Sequence, residues 1–214
     1  MEHRQRAVVR GHGGNTTTRA TGFGGTVSHR ADRTTTRVSA AYLNSAADGT
    51  TNAQSLSLRA RQGLRFGDRF QAFGEAVFAR NRFAGIDGEA GFTAGVAFAA
   101  ATSRPHQLTL EAGGGVTAER RVAERTLRFA NVSAAAHYTW TVVPGTRLSE
   151  DATLTVDVQS RTNWRHTTAS TLTVVLSRPL SVKATHAFEY RRSPVAGFRS
   201  IDMRTSTSLV FSLR

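Results

Sequence analysis

Charged side chains recur at alternate positions within apolar runs of this sequence, and they are the residues best placed to do chemistry. Arg59 and Arg61 alternate with leucine and alanine in the run 55–64, and Glu111 does so in the run 106–116. Successive side chains of a β-strand point to opposite faces, so each run predicts a strand with one apolar and one charged face. Charges of both signs on one face can pair with each other or select charged solutes. This charged face would line the lumen if the strands close into a barrel. The candidates for it are Arg59, Arg61, Glu75, Glu89, Glu111, Asp157, Lys183, Glu189 and Arg204.

Catalytic and metal chemistry has weaker support. His137 follows Ser133 by four positions, which puts both on one strand face but too far apart for a direct hydrogen bond. No Gly-x-Ser-x-Gly segment occurs, and the absence of cysteine excludes disulfides and thiolate metal sites. Single scattered histidines are more often structural than metal-binding. The sequence therefore predicts no enzyme, no catalytic or metal-binding residues and no cofactor, with an outer-membrane Ser–His hydrolase as the weaker alternative.

The chain is strongly basic, with a formal net charge of +13. Of its 28 lysine and arginine residues only Lys183 is a lysine, and arginine binds phosphate and carboxylate through a planar fork. Anionic lipid, anionic sugar and nucleic acid are the partners to weigh, although a coding bias toward arginine explains the composition equally well. The absence of zinc-finger spacing, a basic helix or an RNP-type aromatic pair argues against nucleic acid.

Alternation with period two dominates the chain, and no run approaches the roughly 20 apolar residues of a membrane-spanning helix. A strand of about ten residues spans a bilayer with an apolar side chain at only every second position. We therefore predict an all-β fold, one antiparallel up-and-down transmembrane β-barrel of about 12 strands over residues 1–214. The predicted strands are 5–13, 17–29, 34–44, 53–65, 70–80, 87–100, 106–117, 127–142, 148–159, 167–177, 181–191 and 200–213.

The connections alternate in length, as in barrels with short periplasmic turns and longer outer loops. The short set is ADRT near 31–34, FGDR at 66–69, SRPH at 103–106, VPGTR at 143–147 and SRPL at 177–180. The longer set is GGNTT at 13–17, SAADGTT at 45–51, NRFAGID at 81–87, AERRVAER at 118–125, SRTNWRH at 160–166 and RSPVAGFRS at 192–200. This alternation favours a membrane barrel.

Aromatic residues gather near both ends of the predicted strands, as in the interfacial girdles of membrane proteins. Phe66, Phe70, Trp140 and Phe211 fall near the short turns, and Tyr42, Phe83, Trp164, Tyr190 and Phe198 near the longer loops. The alternative is a soluble, arginine-rich β-sandwich or β-barrel that binds anionic polymers, but it predicts strands near five or six residues.

The long-loop side is rich in arginine, and bidentate contacts between arginine and phosphate are strong. We predict that this rim binds lipopolysaccharide, with a merely solvated basic rim as the alternative. The rim candidates are Arg80, Arg82, Arg120, Arg121, Arg165, Arg191 and Arg192. The lumen leaves two possibilities open, a narrow pore and an interior filled by ion pairs. Twelve strands lie between the eight that enclose only side chains and the sixteen that enclose a channel.

Four segments resemble a known family in their order and spacing. They are GGNTTT at 13–18, NRFAG at 81–85, LTLEAGGGV at 108–116, in which Gly114 stands at the family's proline, and TSTSLVFSL at 205–213. Together they resemble the YdiY-like family of salt-induced outer-membrane proteins, outer-membrane β-barrels of unknown function.

The resemblance implies the outer membrane of a Gram-negative cell, with membrane lipid, lipopolysaccharide and the barrel-assembly machinery as partners. It implies a structural or narrow-pore role in envelope integrity or in osmotic and salt stress, and no reaction. The last strand would carry the assembly signal on Leu209, Phe211 and Leu213, with Phe211 in place of the usual terminal aromatic residue. The family begins with a signal peptide, and the start MEHRQRAVVRGHGG lacks an apolar h-region, so we expect that the targeting segment is missing from this chain.

Overall fold

The computed structural model describes residues 2–12, 18–47, 50–122 and 124–213, and shows twelve antiparallel β-strands closed into one barrel. Each strand pairs with its neighbours in the chain, and β1 pairs with β12 from His3–Leu213 to Ala7–Leu209 to complete the ring. The predicted all-β up-and-down barrel is confirmed. The strands are β1 (Glu2–His12), β2 (Thr18–Arg30), β3 (Thr34–Ala47), β4 (Thr50–Phe66), β5 (Phe70–Asn81), β6 (Ile86–Ala101), β7 (His106–Arg121), β8 (Leu127–Val143), β9 (Thr146–Asp157), β10 (Trp164–Val175), β11 (Leu180–Arg191) and β12 (Ile201–Leu213).

The strands are long because alternation continues without a break through most of each run. They contain 11 to 17 residues, whereas strands of ordinary sheets average about five or six. Tilted strands of about ten residues or more are long enough to cross a bilayer. Strand length therefore favours a membrane barrel over the soluble β-protein that the sequence left as an alternative.

The two ends of the barrel differ in their connections. At the short-turn end the links are 31–33, 67–69, 102–105, 144–145 and 176–179. Gly67 and Gly145 take φ values of 80° and 85° there, a conformation that glycine adopts without steric cost. The long-loop end has the links 82–85, 122–126, 158–163 and 192–200, one residue of which, 123, is not described. The predicted loop GGNTT at 13–17 lies outside the described residues. SAADGTT was predicted as a loop over 45–51, but residues 45–47 and 50–51 belong to β3 and β4.

The distribution of apolar and charged side chains is the reverse of that in a soluble protein. Large apolar side chains such as Phe23, Val116 and Met203 are exposed on the outer surface, whereas Glu89 and Glu119 are buried inside. A soluble protein buries its large apolar residues and exposes its charges. The observed arrangement suits a barrel whose outer face meets lipid.

No helix among the described residues is long and apolar enough to cross a membrane. The helix that is present, Arg82–Ala84, is a single 3-10 turn between β5 and β6.

Aromatic side chains cluster toward both ends of the strands. At the short-turn end Phe66 stacks on Phe70 with ring centroids 6.0 Å apart. At the long-loop end the rings of Trp164 and Tyr190 lie 4.9 Å apart. Phe198 belongs instead to the loop 192–200, and the side chain of Phe83 lies outside the described residues.

Candidate functional site in the barrel lumen

Ion pairs cross the middle of the lumen between β4, β5 and β7. Arg61 donates from both terminal nitrogens to Glu111, at 3.0 and 2.7 Å, and reaches Glu75 at 3.5 Å. Its guanidinium carbon also lies 3.9 Å from the ring centroid of Phe73. A second arginine, Arg59, contacts Glu75 at 3.2 Å. A bidentate contact combined with an aromatic face fixes a guanidinium firmly, so Arg61 is the centre of this network.

His137 extends the network toward β9. Its Nδ1 lies 2.7 Å from a carboxylate oxygen of Asp151, and its Nε2 lies 3.6 Å from Glu111. Both ring nitrogens therefore face carboxylates across the lumen. This arrangement binds three strands together, and it leaves neither nitrogen directed at a serine that it could activate.

A second, more deeply buried cluster lies closer to the long-loop end. Glu89 accepts hydrogen bonds from Arg165 at 3.0 and 3.3 Å. Arg191 donates to Glu119 at 2.9 Å and to Glu189 at 2.6 Å. Arg121 completes the cluster with a 2.5 Å contact to Glu119. Three arginines thus neutralise three glutamates, as buried charges require. We call these six residues, Glu89, Glu119, Arg121, Arg165, Glu189 and Arg191, the outer ion cluster.

The loop 192–200 folds over the long-loop mouth and covers the side of it next to the turn 82–85. Val195 and Ile86 are 2% and 1% exposed. Gly85 has a φ of 70°, and a Cβ added there would lie 2.6 Å from a ring carbon of Phe198 and 3.0 Å from Val195. Only glycine allows this close approach between the turn 82–85 and the loop. This side of the mouth is therefore covered by apolar packing above the outer ion cluster.

Glu124 fastens this loop next to the turn 82–85, because the link 122–126 is joined to that turn by a 2.9 Å hydrogen bond from the Val122 N–H to the Gly85 carbonyl. Its carboxylate accepts the backbone N–H of Ala196 at 3.0 Å and contacts Arg121 at 3.4 Å. The Ala196 N–H lowers the pKa of the Glu124 carboxyl below its usual value, partial desolvation opposes this, and Arg121 adds to the lowering. The ionised carboxylate thus favours the closed loop.

Three cavities between the described residues matter for the lumen. One of about 770 Å³ lies beside the loop 192–200 and reaches Glu189 and Arg191. A cavity of about 310 Å³ lies between the two ion networks and is lined mainly by polar and charged side chains. A wider cavity of about 1050 Å³ opens at the short-turn end. Its charged lining residues are Arg147, Arg178 and Lys183, and no carboxylate belongs to that lining among the described residues. The lumen therefore combines balanced charges in the middle with a basic vestibule at the short-turn mouth.

The nine predicted lumen residues all lie on the inner face. Arg59, Arg61, Glu75, Glu89, Glu111 and Glu189 line the central cavity, and Lys183 lines the vestibule. Arg204 lies 3.8 Å from Asp202 on β12. Asp157 accepts the backbone N–H groups of Gln159 and Ser160 at 2.8 and 3.2 Å, so it shapes the link from β9 to β10.

The predicted rim arginines divide into two groups. Arg80 and Arg120 lie on the outer surface, where both contact Asp87, at 2.9 and 3.0 Å, and Arg82 and Arg192 are exposed. Arg121, Arg165 and Arg191 belong to the outer ion cluster, so their assignment to the lipopolysaccharide rim is wrong. For Arg121 and Arg165 the reason is strand length, because β7 and β10 extend past the predicted strands and turn these positions inward. Arg191 lay within the predicted strand 181–191, where it shares the inward parity of Glu189.

Several functional residues were missed in the sequence. Glu119 and Arg121 lie at the end of β7, in a segment predicted as the loop 118–125. The alternation of Glu111 could have been extended to position 119 and would have placed it inside. The predicted assembly strand has Leu209 and Phe211 exposed on the outer surface. The side chain of Leu213 lies outside the described residues.

The fold belongs to the class of outer-membrane β-barrels, as three solved structures show. The chain aligns with the NanC porin at a TM-score of 0.59 and 8% identity, with 100% of both chains covered. It aligns with an outer membrane channel from Pseudomonas putida F1 at 0.58 and 11%, covering 99% of this chain and 94% of that one. A KdgM porin in complex with disordered oligogalacturonate aligns at 0.53 and 8%, with 100% of both chains covered.

The family follows from the sequence itself. The model of DUF481, a family of proteins of unknown function, matches residues 6–213, and the chain belongs to this family. The family resemblance found in the sequence is thereby confirmed. No curated protein sequence matches the chain.

Proposed function

We propose that this protein is a narrow channel for small charged solutes in the outer membrane of a Gram-negative cell. The outward apolar surface and the aromatic ends of the strands support a position in the bilayer. The single observation that carries a channel is the polar central cavity of about 310 Å³, because a barrel that served only as a wall would need no polar space inside.

The charge distribution supports a preference for anions. Arg147 and Arg178 line the vestibule, and fixed positive charge in a narrow cavity raises the local concentration of anions. The KdgM porin, which shares the fold, is described with oligogalacturonate, an acidic sugar. Small organic or inorganic anions entering from the short-turn end are therefore the solutes that we assign to this channel.

Planar-bilayer recording tests the proposal directly. The purified barrel, shown to be folded by its heat-dependent gel mobility, should give discrete current steps, and a salt gradient should give a reversal potential on the anion-selective side. The double variant Arg147→Gln with Arg178→Gln should move that potential toward zero. The double variant Arg120→Gln with Arg128→Gln is the matched control, because both arginines lie on the outer surface near the long-loop end and their loss removes two positive charges outside the lumen. An absence of current steps from folded, inserted protein would refute the channel.

A closed structural barrel is the second candidate, and a specific observation favours it. The outer ion cluster and the loop 192–200 together narrow the long-loop mouth. In that case the protein would support envelope integrity under osmotic or salt stress without conducting. A strain that lacks the gene would be sensitive to salt, and the purified barrel would give no current in planar bilayers. In both cases we propose partners rather than a reaction, namely membrane lipid, lipopolysaccharide at Arg80 and Arg120, and the barrel-assembly machinery at the last strand.

A further inference from the structure

One carboxylate interrupts the apolar outer surface of the barrel away from the long-loop rim. Glu150 alternates with Leu148 and Ala152 on the outward face of β9, whereas its neighbour Asp151 faces the lumen with His137. Among the described strand residues, Asp87 at the rim is the other outward carboxylate, and it is held by arginine. The ion pairs between described residues do not include Glu150. A charge facing lipid costs free energy, so such a residue marks a site.

The surroundings of Glu150 are polar and aromatic in one continuous row across the strands. Tyr138 and Ser170 lie directly opposite Glu150 on β8 and β10. Ser170 donates its hydroxyl to Glu150 at 2.7 Å. Tyr138 lies 2.7 Å from His106 through its hydroxyl, and the ring of His106 also stacks on Trp140. A carboxylate is thus flanked on one side by a hydroxyl and on the other by aromatic rings.

We place this row toward the headgroups of one leaflet, on the short-turn side of the barrel. Glu150 is four residues from the start of β9, and His106 begins β7, both at the short-turn end. In outer-membrane barrels the short turns face the periplasm. Aromatic residues of this kind mark the boundary between headgroups and hydrocarbon.

We propose that Glu150, Ser170 and Tyr138 form a binding site for the primary ammonium of a phospholipid of the ethanolamine type. An ammonium brings three N–H donors and a positive charge, and one carboxylate beside an aromatic face provides acceptors and a cation–π surface. Ser170 occupies one of about four acceptor positions of the carboxylate, which leaves room for such donors. A metal ion fits less well, because hard cations take several oxygen ligands and the described residues form no group of three or more His, Asp or Glu that could hold one. This inference rests on the proposed membrane location but not on conduction.

Native mass spectrometry of the detergent-solubilised barrel with added phosphatidylethanolamine, phosphatidylcholine and phosphatidylglycerol tests the site. The wild-type protein should retain phosphatidylethanolamine in preference to the other two. Glu150→Gln should reduce that retention about fivefold, the size expected for one partly exposed charge pair. Asp68→Asn is the control, since it removes the same charge from the exposed short turn 67–69.

Equal retention of the three lipids by the wild-type protein would refute the proposed lipid site. This result does not depend on whether the variant folds. Unchanged retention by a folded Glu150→Gln variant would do the same. If the wild-type protein is a dimer and Glu150→Gln dissociates it, the row belongs instead to an interface between two copies of the chain. A barrel that binds phosphatidylethanolamine but gives no current would contradict the proposed channel and leave the lipid site intact.

Discussion

Removing Arg61 tests whether the central ion network holds the lumen together. Arg61→Gln deletes the bidentate contact to Glu111 and the contact to Glu75, and it leaves both carboxylates partly buried without this cation. Loss of one partner from a fully buried ion pair costs about 3–5 kcal/mol. The side chain of Arg61 is 20% exposed, and solvent screening reduces the cost, so we expect the free energy of unfolding to fall by about 2–3 kcal/mol.

The assay is denaturant unfolding of the barrel refolded in lipid vesicles, with the folded fraction measured by gel mobility. Arg59→Gln is the matched control, because Arg59 is 53% exposed and makes one contact to Glu75 at 3.2 Å. An exposed ion pair contributes less than about 1 kcal/mol. In the double variant Arg61→Gln with Glu111→Gln, the cost should be less than the sum of the two single changes. The reasoning is refuted if Arg61→Gln costs no more than Arg59→Gln, or if the double variant is additive.

Four other outcomes follow from the geometry. Lowering the pH through the depressed pKa of Glu124, below the usual range of a glutamate carboxyl, should protonate Glu124, release the Ala196 N–H and increase the open fraction in bilayer recordings, because the stability from a lowered pKa is lost as pH falls through it. Glu124→Gln should be open already at neutral pH. Gly85→Ala should displace the loop 192–200, since the added Cβ meets Phe198, and the displacement should appear as faster proteolysis within the loop. Unchanged proteolysis would contradict the packing of this loop on the turn 82–85. Arg120→Gln should reduce the thermal stabilisation by lipopolysaccharide, whereas Arg33→Gln at the short turn 31–33 should leave it unchanged; equal shifts would contradict a specific rim site. Phe211→Ala should slow assembly by purified assembly machinery more than Phe92→Ala on the outer surface of β6, and equal rates would argue against an assembly signal there.

Strand positions were predictable because alternation is local information. Each side chain of β5 or β11 faces in or out according to its parity, so Glu75 and Glu189 could be assigned to the inner face before any partner was known. The same rule failed where the strand end was misplaced. Arg165 precedes the predicted strand 167–177 by two residues, and the structure includes it in β10 and turns it toward Glu89.

Pairings across the lumen could not be predicted. Arg61 and Glu111 are 50 residues apart, and Arg165 and Glu89 are 76 apart. Their contact depends on barrel diameter and on the register between strands, which no single strand contains. The loop over the mouth is a similar case, because Val195 and Gly85 meet only after the barrel has closed.

The amino-acid sequence by itself determined the strand period, the apolar and charged faces, the alternation of short and long links, and the family. These are properties of neighbouring residues, and side-chain parity along a strand requires no distant contact. Tertiary structure alone decided which charges neutralise each other, that the loop 192–200 packs on the turn 82–85, and that Glu150 lies between Tyr138 and Ser170. These depend on the closure of the sheet into a ring, which brings residues far apart in the chain to within hydrogen-bonding distance.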